Sequence, residues 1–234
     1  MTESFVKTKI AGSIAAGALD EVNNIIKPGV STLEIDKLCY NYINDHKAFS
    51  APLYYRGYPK SCCTSSNHVV CHGIPSEKIL NDGDILNVDV TAIKDGWHGD
   101  TSRMFVVGEC SVKAKKLIKT TYVAMMEAIK IIKANTKIGN IGHTIQKIVE
   151  AEGFSVVRDF CGHGIGKKFH ESPNVLHYGE KNSGQELKAG MIFTVEPMIN
   201  YGKFETKTLK DGWTAVTKDK SLSAQFEHTV GVTK

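Results

Sequence analysis

Residues 87–105 read NVDVTAIKDGWHGDTSRMF, and this stretch decides the fold. Its alternation of polar and apolar residues predicts two β-strands. Asp95-Gly96 at the centre is a favoured two-residue hairpin turn. The two arms also carry Asp89 and Asp100, although strand interiors are normally depleted of aspartate. The hairpin fold alone therefore does not explain why these two carboxylates are present.

The two-residue turn fixes the register of this hairpin. Lys94 pairs with Trp97, and Thr91 then faces Asp100. Side chains two residues apart share one face of a strand, so Asp89 lies diagonally next to Asp100. Two like charges in these positions repel each other. Either this face of the hairpin is simply solvated, or the carboxylates hold a cation.

The composition is typical of a soluble globular chain. The 234 residues can bury a sizeable core, and the net charge of +4 permits a polyanionic partner without requiring one. No apolar run has the length of a membrane span. The apolar stretch 10–19 runs directly into two acidic residues, which favours an amphipathic helix over a secretion signal. The six cysteines form no CxxC pair and predict buried thiols in a reducing compartment, hence the cytoplasm.

The sequence contains a short internal repeat. Residues 93–97 (IKDGW) recur as residues 209–213 (LKDGW). Upstream of each, residues 83–89 are matched by residues 190–196. In both copies an apolar strand ends in a carboxylate. The strand that returns after each KDGW turn is predicted to carry another carboxylate, Asp100 in the first copy and Glu227 in the second.

Helical patterns flank both copies in the same order. The predicted helices span about residues 2–27, from Ser31 onward, 112–133 and 140–152. Ser31 opens a Ser-Thr-Leu-Glu capping box. Each half therefore reads helix, helix, strands, which is typical of an α+β fold with an antiparallel sheet. We expect a single domain over 1–234, whose halves, about 1–110 and 111–234, form one sheet covered by helices, with a cleft where they meet.

This pseudo-symmetry would bring four carboxylates together. They are Asp89, Asp100, Glu196 and Glu227. Four negative charges in one cleft require cations. A nearby Lys or Arg could neutralise part of the charge, but apart from the turn lysines only Arg103 lies close by on these strands. The other alternative to a cation site is that the internal repeat arose by chance.

The segment CGHGIGKK, residues 161–168, might be taken for a phosphate-binding loop. The Walker pattern requires Gly at Cys161 and Ser or Thr at Lys168, so the segment does not fit. Its small residues instead allow the backbone to bring His163 close to a crowded site. His163 is then a nitrogen ligand among carboxylates, although an isolated histidine is more often a partly buried structural residue. Such a set suits divalent Mn, Fe(II), Co or Zn, and two ions would balance four carboxylates and share a water for hydrolysis.

The remaining histidines divide into two groups. His72, in NHVVCHGIP, and His170, in KKFHESP, have no obvious structural role. A histidine near such a metal site commonly transfers protons at neutral pH. The others are predicted to be surface or packing residues: His46, His68, His98, His143, His177 and His228.

With these residues in place, the chain resembles the type I methionine aminopeptidases, a family with the pita-bread fold. The resemblance extends from the first helix to Val232. The matching stretches are SSNHVVCHGIP, GDILNVDVTAIKDGWHGDTSRMF, CGHGIGKKFHESP, FTVEPMIN and KDGWTAVTKDKSLSAQFEHT. The resemblance implies an enzyme that removes the initiator methionine from nascent polypeptides and favours a small second residue.

The resemblance also implies roles for individual residues. The expected ligands of two divalent ions are Asp89, Asp100, His163, Glu196 and Glu227, with Asp100 and Glu227 bridging both ions. His72 and His170 would contact the scissile peptide, and Glu196 would be a further catalytic group. Tyr55, Tyr58, Phe169 and Trp213 would form the walls of a pocket for the methionine side chain. Without the resemblance, the same aromatic residues would be read as core.

Two positions depart from the family pattern. Pro52 stands where relatives often have a small residue or Cys, and Gly231 stands where a β-branched residue is usual.

Two other functions compete with this one. A proline-specific aminopeptidase shares the fold but usually carries a large N-terminal domain, for which we expect no room. A non-catalytic ribosome- or RNA-binding protein on this fold tends to lose metal ligands, whereas all five positions are filled here.

The expected partners are nascent polypeptide N-termini. A lysine cluster on the predicted third helix fits either a ribosome-facing patch or an ordinary solvated helix face. It comprises Lys113, Lys115, Lys116 and Lys119. We expect a monomer without a specific nucleic-acid or membrane partner.

Overall fold

The structure is a computed structural model and describes residues 2–233; the first and last residues of the predicted domain lie outside this range. The α-helices are α1 (Glu3–Ile25), α2 (Thr32–Asp45), α3 (Val112–Lys130) and α4 (Gly139–Ala151). The strands are β1 (Phe49–Ser50), β2 (Cys63–Ser66), β3 (Val69–Cys71), β4 (Ile85–Lys94), β5 (Trp97–Val106), β6 (Ser155–Val156), β7 (Gly162–Gly164), β8 (Glu171–Val175), β9 (Ile192–Val195), β10 (Met198–Asn200), β11 (Thr206–Thr208), β12 (Ala215–Thr217), β13 (Ser223–Gln225) and β14 (Glu227–Gly231).

The hairpin of β4 and β5 forms with the predicted register. Lys94 pairs with Trp97, and Thr91 pairs with Asp100. Both residues of the Asp95-Gly96 turn have φ in the left-handed region, at 51° and 77°. A type I′ turn requires such angles at both central positions. The turn therefore sets which face of the sheet receives the carboxylates.

The main sheet joins both halves of the chain, as predicted. Its strand order is β1-β4-β5-β14-β9-β7-β8, and β2 pairs with the same strand, β4, as β1 does. The halves meet at the antiparallel pair β5–β14, where Ser102 lies opposite Glu227 and Thr101 opposite His228. This arrangement of antiparallel sheet and helices is the expected α+β, pita-bread architecture.

The second KDGW segment does not occupy the place predicted for it. Its turn joins β11 to β12, and these strands pair with β3 in a separate three-stranded sheet. Glu227 begins β14 and follows a further strand, β13. The prediction that Glu227 lies on the strand returning from this turn is therefore wrong. The Asp211 carboxylate accepts the N–H groups of Trp213 and Thr214, each at 2.8 Å, so this tetrapeptide encodes a local turn.

Helices cover one face of the main sheet, and the carboxylates lie on the other. On β4, Val88 and Val90 are buried in an apolar cluster with α1 and α2. On β9, Phe193 and Val195 are buried in a second cluster with α3 and α4. Alternate side chains on a strand point to opposite faces, so Asp89 is directed away from these helices. Burial of the apolar face fixes the position of the polar one.

The helices begin and end close to the predicted positions. The capping box forms at the start of α2, where the Ser31 hydroxyl accepts the Glu34 N–H at 3.2 Å. The Glu34 carboxylate in turn accepts the Ser31 N–H at 2.7 Å. α1 and α3 end slightly earlier than predicted, at Ile25 and Lys130. No helix in the described part of the chain is long and apolar enough to cross a membrane.

Candidate metal centre and active site

The structure brings every predicted site residue to one pocket of about 510 Å³. The predicted metal ligands in its lining are Asp89, Asp100, His163, Glu196 and Glu227. The histidines are His72 and His170, and the aromatic residues are Tyr55, Tyr58, Phe169 and Trp213. Segments far apart in the chain thus converge on a single cavity.

The five candidate ligands follow the order of the strands across the sheet. Asp89 is on β4, Asp100 on β5, Glu227 on β14, Glu196 directly after β9, and His163 on β7. Asp100, His163 and Glu227 each offer a ligand atom within 4.8 Å of the others. His163 Nε2 lies 3.6 Å from Glu196 Oε1 and 3.9 Å from Asp100 Oδ2. These separations exceed a hydrogen bond and suit donor atoms arranged around a common cation.

Asp100, Glu196 and Glu227 are buried, and Asp89 is half-buried, without a lysine or arginine partner. Asp100 is 4% exposed and Glu227 2% exposed, so a solvated face does not explain them. Over residues 2–233, the ion pairs of lysine and arginine involve other carboxylates, so neutralisation by these side chains does not explain them either. Buried charges need compensation, and divalent cations suit this oxygen-rich set.

Burial changes the acidity of all four carboxyl groups. It raises the pKa of Asp89 to about 7 and that of Glu196 to about 8. Burial also raises the pKa of Asp100, with a further contribution from the neighbouring Asp89 charge. The pKa of Glu227 rises because of burial and then because of Asp100 and Glu196. A cation would reverse these shifts by favouring the ionised forms.

Threonine hydroxyls hold several of the candidate ligands. Thr91 donates to Asp100 Oδ1 at 2.7 Å. Thr194 donates to Glu196 Oε1 at 2.7 Å and accepts the His163 N–H at 2.9 Å. Neither threonine was singled out as a functional residue from the sequence. The Thr-x-Glu spacing was the available signal, because residues two apart on a strand share a face.

His177 supports the site from inside the core. It is 1% exposed, and its Nε2 accepts the Glu196 N–H at 3.1 Å. Burial lowers the pKa of His177 to about 3, so the ring is neutral and can accept this hydrogen bond. The predicted packing role of His177 is confirmed, whereas its contact with Glu196 had no signal in the sequence.

His72 is held in an unusual backbone conformation. Its φ is 57°, in the left-handed region that a non-glycine residue rarely adopts. Its ring lies edge-on to those of Phe160 and Trp213, with centroids 5.5 Å and 6.2 Å away. Burial lowers the pKa of His72, which favours a neutral ring near pH 7. A strained backbone persists only where the surrounding structure maintains it, and such residues concentrate at functional sites.

His170 lies directly against the candidate metal ligands. Its ring centroid is 4.1 Å from that of His163, and its Nδ1 lies 3.1 Å from the Tyr55 hydroxyl. Partial burial and then the nearby His163 lower the pKa of His170. A neutral imidazole presents one hydrogen-bond donor and one acceptor, so His170 can relay a proton by taking it up at one nitrogen and releasing it from the other.

The aromatic residues form two contacting pairs around the pocket. Tyr58 and Trp213 pack edge-to-face with centroids 5.1 Å apart, and Tyr55 and Phe169 pack at 4.9 Å. The Tyr58 hydroxyl donates to backbone carbonyls, including that of Gly73 at 3.0 Å, beside His72. This satisfies its polar atom and leaves an apolar ring in the pocket wall.

The sequence matches a known family and curated relatives over nearly its whole length. The profile of metallopeptidase family M24 matches residues 6–234. The methionine aminopeptidase of Rickettsia prowazekii is 55% identical over 99% of this chain and 90% of its own length. That of Escherichia coli (strain K12) is 54% identical over 99% of this chain and 88% of its own length.

Solved structures agree as well. The crystal structure of the Rickettsia prowazekii enzyme gives a TM-score of 0.98, covering 100% of this chain and 95% of that one. The X-Pro aminopeptidase from Thermotoga maritima MSB8 shares the fold alone, with a TM-score of 0.75, 22% identity, and coverage of 99% of this chain and 58% of that one. By sequence and by fold, the chain belongs to metallopeptidase family M24.

Proposed function

We propose that the protein removes the N-terminal methionine from nascent polypeptides by metal-dependent hydrolysis, favouring a small second residue. The observation that carries the proposal is the single pocket that combines the carboxylate and histidine cluster with the aromatic walls. A metal cluster alone would fit many hydrolases. An apolar slot beside it selects for one large apolar side chain at the end of a peptide.

Two divalent ions, from among Co, Mn, Fe(II) and Zn, fit the donor set. The strand order puts Asp100 and Glu227 at the centre, with Asp89 on one side and Glu196 and His163 on the other. The central pair is therefore best placed to serve both ions, as the family resemblance implies. Four carboxylates carry −4, which two divalent ions balance. When bound, the ions supply a water of lowered pKa and polarise the scissile carbonyl.

The protein groups around this centre would orient the peptide and move protons. Glu196 would take up the proton of the attacking water as a general base. His72 and His170, both favoured as neutral rings, would donate hydrogen bonds to the peptide and relay that same proton from Glu196 to the leaving amine. The ring of His170 against His163 supports this assignment, since it keeps the donor beside the reacting centre.

The aromatic walls would bind the methionine side chain. Tyr55, Tyr58, Phe169 and Trp213 present ring surfaces to the pocket. Thioether sulfur and aromatic rings attract weakly, and methionine adapts to irregular apolar slots. Pro52 also lines the pocket, where its rigid ring would restrict the shape of this slot.

The cellular setting follows from less direct observations. The whole chain acts as one catalytic domain, a monomer in the cytoplasm; its six cysteines are free, which supports a reducing compartment. The lysines of α3 fit an ordinary solvated helix face better than a ribosome contact. Lys115 lies 3.5 Å from Glu109 and Lys116 lies 3.0 Å from Glu152, as on an ordinary solvated helix face.

The test is hydrolysis of a peptide panel by metal-free protein, with one metal added back at a time. Met-Ala-Ser should be cleaved and Met-Lys-Ser should be cleaved far more slowly. N-acetyl-Met-Ala-Ser should not be cleaved, because the blocked amine cannot serve as a metal ligand. Cleavage of Xaa-Pro peptides with Met-Ala-Ser left intact would assign the chain to the proline-specific branch, and absence of any cleavage would favour a binding protein.

A further inference from the structure

We propose that Thr194 is a positioning residue that couples His163 to Glu196. It thereby sets the metal affinity of the side of the site that these two ligands form. The proposal rests on the metal centre proposed above. Thr194 is fully buried, and its single hydroxyl group contacts both the His163 main chain and the Glu196 side chain. It is not expected to be a ligand itself, because it does not line the pocket that holds the candidate ligands.

The two residues that Thr194 connects are otherwise weakly joined. His163 is on β7 and Glu196 follows β9, and the ladder between these strands contains the single pair Gly164–Phe193. The His163 N–H therefore has the hydroxyl oxygen of Thr194 as its acceptor, at 2.9 Å, in place of a backbone carbonyl. The threonine side chain thus adds a hydrogen bond between β7 and β9 at the candidate nitrogen ligand.

The hydroxyl hydrogen has one favoured acceptor. Glu196 Oε1 lies 2.7 Å from Thr194 Oγ1, whereas the His163 carbonyl oxygen lies 3.5 Å from it. A bond to a carboxylate is the stronger of the two at these distances. The hydroxyl therefore accepts from the His163 main chain and donates to the Glu196 side chain, and this polarity is fixed.

A second hydrogen bond holds the main chain of Glu196 in place. The buried His177 ring accepts the Glu196 N–H at 3.1 Å, so the backbone of Glu196 is held at the end of β9. The Thr194 bond then determines where the carboxylate points. Loss of that bond would leave the Glu196 side chain free to rotate away from His163 Nε2, which now lies 3.6 Å from Glu196 Oε1.

Thr194→Val tests this role, because valine keeps the branched shape and removes the hydroxyl. Thr194→Ser restores the hydroxyl. Thr121→Val is the matched control: Thr121 is equally buried, in α3, and its hydroxyl donates to the Leu117 carbonyl at 2.9 Å. Each metal-free protein is titrated with Mn²⁺ by calorimetry, and with Co²⁺ while the visible absorption bands are recorded. Far-UV circular dichroism checks folding, and Thr194→Ala replaces the valine variant if that does not fold.

Supporting partners of metal ligands typically contribute about 10- to 100-fold to metal affinity, so Thr194→Val should weaken Mn²⁺ binding by about this factor and alter the Co²⁺ bands. Thr194→Ser should stay close to wild type, and Thr121→Val should leave both readouts unchanged. Equal affinities and spectra for wild type and Thr194→Val would overturn the proposal, as would equal losses in the serine and valine variants. A wild-type protein that binds no metal would instead overturn the proposed function.

Discussion

The hydroxyl of Thr229 holds the main chain of Asp100 on both sides: it accepts the Asp100 N–H at 3.0 Å and donates to the Asp100 carbonyl at 2.8 Å. A reciprocal bond runs from the Thr101 hydroxyl to the Glu227 carbonyl at 2.8 Å. These residues lie on β5 and β14, where the two halves of the sheet meet and the ladder covers only two residue pairs. Side-chain hydroxyls thus hold the seam beside the two carboxylates proposed to be shared by both ions.

Thr229→Val should loosen this seam. The variant leaves the Asp100 N–H and carbonyl without their partner, which typically costs about 1–3 kcal/mol of the free energy of unfolding. Thr229→Ser should recover most of the loss, because it retains the hydroxyl. Urea denaturation of the three metal-free proteins measures the difference. Equal stability of the valine variant and wild type would show that the seam does not depend on this side chain.

The metal-free protein should become less stable as pH rises from about 7 to about 8, a range in which the carboxyl groups outweigh the buried histidines, whose lowered pKa values act in the opposite direction mainly below pH 7. The folded state raises the pKa of Asp89 from 3.8 to about 7 and that of Glu196 from 4.5 to about 8. Between the unfolded and folded pKa values, the folded state binds more protons than the unfolded state, so the free energy of unfolding falls with rising pH. The melting temperature of metal-stripped protein at pH 7 and pH 8 gives the comparison.

Added divalent metal should reverse this trend at pH 8. An ion that binds only the folded state raises the melting temperature with its concentration, and ionised carboxylates bind it better than protonated ones. A melting temperature that is insensitive to Mn²⁺ at pH 8, or higher at pH 8 than at pH 7 without metal, would contradict the buried carboxylate cluster.

Substitutions should separate metal ligands from proton carriers. Asp100→Asn and Glu227→Gln should lower metal affinity and activity together, because both carboxylates are proposed to be shared. His72→Ala and His170→Ala should bind metal as wild type does and lower kcat by about 10²- to 10⁴-fold, the usual range for a positioned acid or base. Metal titrations beside steady-state kinetics on Met-Ala-Ser distinguish the two groups. The roles would be exchanged if the histidine variants lost metal and the acidic variants kept it.

The first hairpin could be predicted because its information is local. The Asp95-Gly96 turn sets the register, and the register sets which side chains share a face with Asp100. The second KDGW segment shows the limit of such reasoning. Asp211 also closes a local turn, but there only Gly212 has a positive φ, and the turn does not determine which strand pairs with the one carrying Glu227.

The supporting residues could not be predicted, because their contacts depend on the packing of distant segments. Thr194 meets the His163 backbone 31 positions away, and His177 meets the Glu196 backbone 19 positions away. Any buried threonine or histidine could make an equivalent bond to some backbone group. Only the assembled sheet shows that these bonds end on the candidate metal ligands.

Trp213 should contribute to recognition of the methionine side chain through its ring. It packs on Tyr58 with centroids 5.1 Å apart and lies 6.2 Å from His72, so it borders both the apolar slot and the reacting peptide. Sulfur–aromatic contacts contribute about 0.3–1.5 kcal/mol each, which corresponds to roughly 2- to 12-fold in kcat/KM. A Met-first peptide should therefore be cleaved faster than the norleucine-first peptide of the same length by a factor in this range. Trp213→Leu should reduce that factor while leaving metal affinity unchanged, and Trp213→Phe should preserve it. If wild-type protein cleaves both peptides at equal kcat/KM, the aromatic walls select for apolar shape alone and not for sulfur.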